Sequence, residues 1–131
     1  MILKGRKIYQ GKVSGIALST TMAISFYGGV DPDTGIITER DHELSGQCIS
    51  GKILVFPRGK GSTVGSYTLY RLKKNGLAPA AIINRECETI TAVGCIISEI
   101  PCIDQVEIDK LETGMKLSVD GENGTVMITE N

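Results

Sequence analysis

The chain has 131 residues, a formal net charge of −1 from 14 basic and 15 acidic side chains, 41% hydrophobic and 22% charged residues. That composition is globular and excludes intrinsic disorder, and the length suits a single domain over residues 1–131 with one core. The balanced charge excludes the basic stripe of a nucleic-acid binder, and no apolar run approaches the roughly 18 residues of a membrane span.

Charges interrupt Met1-Ile2-Leu3-Lys4-Gly5-Arg6-Lys7 too early for a secretory leader, so the expected location is the cytoplasm. Glycine is abundant, 16 of 131, and aromatics are 5% with no Trp, which suits tight turns and argues against base or sugar stacking.

In chain order, Ile2 to Tyr9 and Ser14 to Ser19 read as the first strands, separated by Gln10-Gly11-Lys12. Ala23 to Tyr27 is a further apolar run that stops at Gly28-Gly29. Asp31-Pro32-Asp33-Thr34-Gly35 favours turns, and the polar stretch up to Glu43 reads as a long surface loop. Lys52 to Phe56 is the clearest strand, with four consecutive apolar residues that suit burial on both faces.

From Ser62 to Lys74 the pattern turns helical. Ser62 suits the N-cap, Val64, Tyr67 and Tyr70 form an apolar stripe widened by Leu69 and Leu72, and Gly76 supplies the stop. Ala78 to Asn84 reads as a buried strand, which completes a βαβ-like crossover. Thr89 to Ser98 suits a short helix and a further strand, and Met115–Val119 with Thr125–Thr129 form a hairpin around Asp120-Gly121-Glu122-Asn123-Gly124. The expected class is α+β, mostly strand, with one main helix after the Ser62 loop.

Pro57-Arg58-Gly59-Lys60-Gly61-Ser62-Thr63-Val64-Gly65-Ser66 is the segment best suited to chemistry. Its glycines allow close backbone approach, Arg58 and Lys60 are cationic, and Ser62 and Thr63 stand where a helix N-terminus offers free N–H groups to a carboxylate or phosphate. A serine in that field suits a base or nucleophile; a plain capped helix after a glycine turn is the competing reading. Gly46 to Lys52 follows the P-loop template only as far as Lys52, because Ile53 replaces Ser or Thr and leads into a strand, so nucleoside triphosphate binding is rejected.

The one histidine, His42, reads as a solvated loop residue rather than a catalyst or a phosphohistidine carrier. Gly28-Gly29 suits either a turn or a close approach to a ligand or partner chain. Cys48, Cys87, Cys95 and Cys102 have neither zinc nor iron–sulfur spacing and read as buried, reduced thiols, so no metal is expected on this chain.

Three co-linear blocks, Ile24 to Gly35, Gly51 to Tyr67 and Asn75 to Asn84, resemble the small subunit of the aconitase X family, whose archaeal members are phosphomevalonate dehydratases. The similarity runs through Val119-Asp120-Gly121 near the C-terminus. It implies a swivelling β/β/α domain and a two-subunit hydro-lyase of the mevalonate route to isoprenoids, acting on (R)-5-phosphomevalonate, a small phosphorylated hydroxy acid. It further implies that the partner large subunit carries a [4Fe-4S] cluster on its own cysteines. Ser62 would then be the proton acceptor, with Arg58, Lys60, Gly61 and Thr63 as substrate-binding residues. The rival readings are an aconitase X dehydratase subunit for another hydroxy acid, such as cis-3-hydroxyproline, and a non-catalytic swivelling domain that only binds a partner.

Overall fold

The computed structural model describes residues 1–130. Eight strands run β1 (Ile2–Lys4), β2 (Arg6–Tyr9), β3 (Lys12–Ser19), β4 (Ile53–Phe56), β5 (Ala81–Asn84), β6 (Cys102–Asp104), β7 (Lys116–Asp120) and β8 (Thr125–Glu130). Two ten-residue helices, α1 (Gly65–Lys74) and α2 (Thr89–Ser98), follow β4 and β5. The strand order is β1-β8-β7-β3-β4-β5-β6-β2.

Strand β3 divides the architecture. Its first part, Lys12 to Ile16, pairs antiparallel with β7. Its last part, Ala17 to Ser19, pairs parallel with β4, which continues into parallel β5 and β6. One ladder is therefore an antiparallel meander, and the other is the sheet of two βαβ crossovers.

The parallel sheet is the middle layer, which explains its unbroken apolar strands. Leu54, Phe56 and Ile82 face α1 and α2, in a core with Leu69, Leu72 and Cys95. The alternating residues Ile53, Val55, Ala81 and Ile83 face the meander, in a second core with Leu117, Val119 and Val126. The order β/β/α is the α+β arrangement expected, and the Lys52–Phe56 strand, the Ala78–Asn84 strand and the C-terminal hairpin lie where the sequence places them.

Several local expectations differ. Ile2 to Tyr9 is two strands rather than one, because the chain leaves the meander and joins β6 at Gly5. A Cβ at Gly5 would lie 2.3 Å from the Asp104 carbonyl oxygen. Ala23 to Tyr27 forms no strand, only a bridge between Ile24 and Gly59. Its alternating Ile24 and Phe26 are buried all the same, with Phe26 edge-on to Phe56.

The stretch to Glu43 is not a loop over the surface. Bridges Val30–Ile37 and Ile36–Cys48 fold it, and Ile37, Leu44 and Ile49 enter the helical-side core. His42 is buried, not solvated: its Nε2 lies 3.1 Å from the Ala23 carbonyl oxygen and its Nδ1 accepts the Leu44 N–H at 3.0 Å. That pairing assigns the proton to Nε2 and gives the ring a structural role.

Thr89 to Ser98 is helical throughout, so the described residues hold two α-helices of equal length, and the next strand begins only at Cys102. Helix α1 starts at Gly65 with Val64 as its cap residue, not Ser62. Its buried face is Leu69 and Leu72 with Gly65, Ser66 and Thr68, whereas Val64, Tyr67 and Tyr70 are exposed. Cys95 and Cys102 are buried as expected, Cys87 is half-buried, and Cys48 is exposed, contrary to the buried reading.

Candidate functional site

The loop between β4 and α1 is held from two sides. Ile24 donates its N–H to the Arg58 carbonyl at 3.2 Å, and Lys60 donates to the Ile24 carbonyl at 3.0 Å. On the other side the Gly59 N–H donates to Glu88 Oε1 at 2.9 Å. The second carboxylate oxygen of Glu88 accepts the Thr91 N–H at 3.0 Å and so caps α2. One carboxylate thus ties the loop to the start of a helix. Space is tight there, since a Cβ on Gly59 would lie 2.4 Å from Thr91 Oγ1 and 2.6 Å from Glu88 Oε1.

Beyond this clamp the loop turns outward. Gly61 has φ +91° and lies against Ser25, leaving no room for a side chain. Arg58, Lys60, Ser62 and Thr63 are all exposed. Ser62 Oγ accepts the Val64 N–H at 3.1 Å. The serine therefore does not cap α1: its oxygen takes the N–H of Val64, the residue before the helix, while the first N–H groups of α1 itself, on Gly65 and Ser66, donate to the Ser62 and Thr63 carbonyls. The dipole of α1 adds positive potential at that end. Both effects favour negative charge on Oγ.

The two cations differ. Lys60 Nζ pairs with Glu39 at 2.7 Å, so its charge is already compensated. Arg58 forms no ion pair among the described residues and is free to meet an anion. The sequence motif Tyr27-Gly28-Gly29 builds this difference. Gly29 lies against the Ser25 carbonyl, and its own carbonyl accepts the N–H groups of Thr38 and Glu39 at 2.9 and 3.2 Å. That places the Glu39 carboxylate over Lys60. The paired glycines thus serve the loop through backbone packing.

Ser25, Glu39, Glu88 and Thr91 are the residues that sequence reasoning passes over. Glu39 and Glu88 sit in ordinary polar stretches, and glutamate is not a favoured N-cap. The one usable hint is that Ser25 begins a glycine-rich motif in a chain with a second glycine-rich loop. The structure brings Arg58, Lys60, Gly61, Ser62 and Thr63 together on one exposed rim.

Among the described residues no group of three or more His, Cys, Asp and Glu side chains is arranged to hold a metal ion. Cys87 and Cys102 have their sulfurs 4.0 Å apart, and the Cys87 thiol is pushed up by its hydrogen bond to Cys102 and by burial.

The family model for the aconitase X swivel domain matches residues 2–128. The chain belongs to the aconitase X swivel-domain family. It is 58% identical over 131 residues to the phosphomevalonate dehydratase small subunit of Thermococcus kodakarensis, spanning 100% of this chain and 98% of that one. A crystal structure of Thermococcus kodakaraensis aconitase X in its holo-form superposes with a TM-score of 0.98 at 58% identity, covering 99% of both chains. A solution NMR structure of a UPF0107 protein matches with a TM-score of 0.90 at 46% identity, covering 99% of this chain and 100% of that one. The swivel domain is thus the β/β/α arrangement of β3–β6 under α1 and α2, backed by the β7–β8 meander. No helix of the described residues is long and apolar enough to cross a membrane.

Proposed function

We propose that residues 1–131 form a swivelling domain that is the small subunit of a phosphomevalonate dehydratase, a hydro-lyase acting on (R)-5-phosphomevalonate in the archaeal mevalonate route to isoprenoids. The product is trans-anhydromevalonate 5-phosphate. Full-length identity of 58% to a small subunit of that name supports the reading. The observation that carries it is an exposed serine oxygen that accepts a backbone N–H, in a loop whose Arg58, four residues earlier, is exposed and in no ion pair among the described residues.

The reaction asks for a proton to leave the carbon beside a carboxylate and for a tertiary hydroxyl to leave as water. Ser62 takes the proton. A serine base needs a stabilised alkoxide, and the Val64 N–H together with the positive end of α1 supplies that stabilisation. Arg58 neutralises the carboxylate or the phosphate through a two-pronged charge-assisted contact. Lys60, held by Glu39, keeps the loop in register and adds a weaker field. Gly61 and Thr63 let the substrate approach the backbone closely.

As the family resemblance implies, a [4Fe-4S] cluster would sit on the large subunit's own cysteines and act there as Lewis acid. Nothing in the role of Ser62 or Arg58 depends on this chain holding it.

The test is anaerobic reconstitution with the large subunit and a dehydration assay on 5-phosphomevalonate. Ser62→Ala is expected to leave the complex intact and to lower kcat by on the order of 10²–10⁴-fold, the usual worth of a positioned acid–base group. Full turnover by Ser62→Ala would refute the base assignment. No turnover by wild type in an intact complex would redirect the substrate to another hydroxy acid.

A further inference from the structure

Helix α2, Thr-Ile-Thr-Ala-Val-Gly-Cys-Ile-Ile-Ser, contains no charged residue. A ten-residue helix that is apolar or neutral all round is normally buried all round. Here one side is buried, through Thr91, Gly94, Cys95 and Ser98. The other side leaves Val93 42%, Ile96 49% and Ile97 41% exposed.

Helix α1 repeats the pattern. Val64 and Tyr67 stand 43% and 67% exposed although they lie at core-like helical spacing. The two helices, joined by the Ser66 hydroxyl donating to the Ile90 carbonyl at 2.6 Å, leave an open apolar groove of about 370 Å³ between them. Of the other exposed large hydrophobics, Tyr70 also lies on α1, Tyr27 lies in the loop before Gly28, and Ile2, Ile16 and Met127 lie on strands. The binary pattern of α1 and α2 is therefore satisfied only if something covers this face.

We infer that the outer face of α1 and α2 is the docking surface for the large subunit, and that Val93, Ile97 and Tyr67 are its apolar anchors. This rests on the reading of the chain as the small subunit of a two-subunit dehydratase. The occupant follows from continuity. Thr63 and Val64 line the groove and directly follow Ser62. On that reading Ser62 is the base and the rest of the active site lies on the large subunit, which therefore faces Ser62.

A surface that meets Ser62 continues without a break over Val64 and Tyr67 into the groove. A second copy of this chain would only set one unfinished rim against another. The edge of the patch is basic at the far end of α1, where Lys73 and Lys74 occupy the last turn. The partner surface is thus expected to be apolar at its centre and acidic at that edge.

The test measures binding, not turnover. Val93→Lys and Ile97→Lys are combined in one chain, and Met127→Lys, 42% exposed in the wild type on β8, is the control. The affinity of each for the anaerobically purified large subunit is measured by calorimetry, with melting curves to show that each chain is folded.

The double variant is expected to melt near wild type and to bind at least about 30-fold more weakly, as loss of central anchors does; Met127→Lys binds unchanged. Equal affinity of the double variant overturns the inference, as does a wild-type homodimer broken by the same two substitutions. Should the double variant melt early, Ile97→Thr and Val93→Thr replace it, and unchanged affinity in both again overturns the inference. Tight binding without turnover on 5-phosphomevalonate would count against the proposed function alone and leave this surface standing.

Discussion

Gly59→Ala is the most direct test of how the loop is held. An added Cβ would lie 2.4 Å from Thr91 Oγ1 and 2.6 Å from Glu88 Oε1, whereas ordinary contact begins near 3.4 Å. Either the loop or the Glu88 and Thr91 side chains must give by about 1 Å, and either movement breaks the Gly59 N–H bond to Glu88. Overpacking of this kind costs about 1–3 kcal/mol, and loss of a hydrogen bond to a charged group in a half-exposed setting adds about 1 kcal/mol. With an unfolding entropy of ~2.1 cal/mol/K per residue, each kcal/mol lowers the Tm of a chain this size by about 4 °C.

The isolated variant should therefore melt roughly 8–16 °C below wild type by circular dichroism. In the reconstituted complex below that temperature, a 1 Å displacement of the segment carrying Ser62 should lower kcat on the order of 10²-fold. Glu88→Gln is the companion: it keeps the size, retains one acceptor oxygen and should fall between the two. A Gly59→Ala chain with wild-type Tm and wild-type turnover would refute the clamp.

Arg58→Gln should raise KM for the phosphorylated substrate at least ~10-fold, and Lys60→Gln much less, because Lys60 is already paired with Glu39 at 2.7 Å; equal effects would show that both cations reach the substrate. The Glu43 carboxyl is held below the ordinary glutamate range, first by the Thr20 hydroxyl and then by the Thr21 N–H. Because its folded pKa is depressed, its stabilising contribution is present above the unfolded value of ~4.3 and is lost as pH falls through the folded value. Thr20→Val should move the Glu43 titration upward by carbon-detected NMR, and an unmoved titration would remove that hydroxyl as the cause. Iodoacetamide at pH 8 should label exposed Cys48 well before Cys87, whose thiol is held protonated by Cys102 and burial; mass spectrometry showing Cys87 modified first would contradict this.

The middle of the fold is legible because its signals are redundant. Ile53 to Phe56 is apolar at every position, and a strand buried on both faces requires that. The hairpin is legible for a different reason, since Asp120 to Gly124 combines turn chemistry with alternation on both sides. The segment from Ala23 to Ile49 is not legible. Ile24 and Phe26 lie in an apolar run that the sequence does show, but beyond it the buried Val30, Ile37, Leu44 and Ile49 are spaced too widely to share a period. Only tertiary contacts bring them into one core, so a polar composition there reads as a surface loop.

The candidate site shows the same division at finer scale. Arg58, Lys60 and Ser62 stand out as candidates because cation, glycine and hydroxyl recur within five residues, although a capped helix after a glycine turn would use the same residues. Glu39 and Glu88 lie 23 and 26 positions from Ser62 by their numbers, and no local pattern ties them to it. The helical stripe Val64, Tyr67 and Tyr70 is the instructive case.

Periodicity identifies a face that avoids water; it does not say which chain covers it. For α1 the inward partner is Leu69 and Leu72, so the stripe is surplus to this chain's own core. A charge-free α2 with the same surplus beside it makes an accident of composition a poor explanation. The simplest physical account is that, beside the two cores closed within the chain, the sequence encodes a further apolar face closed only against a partner.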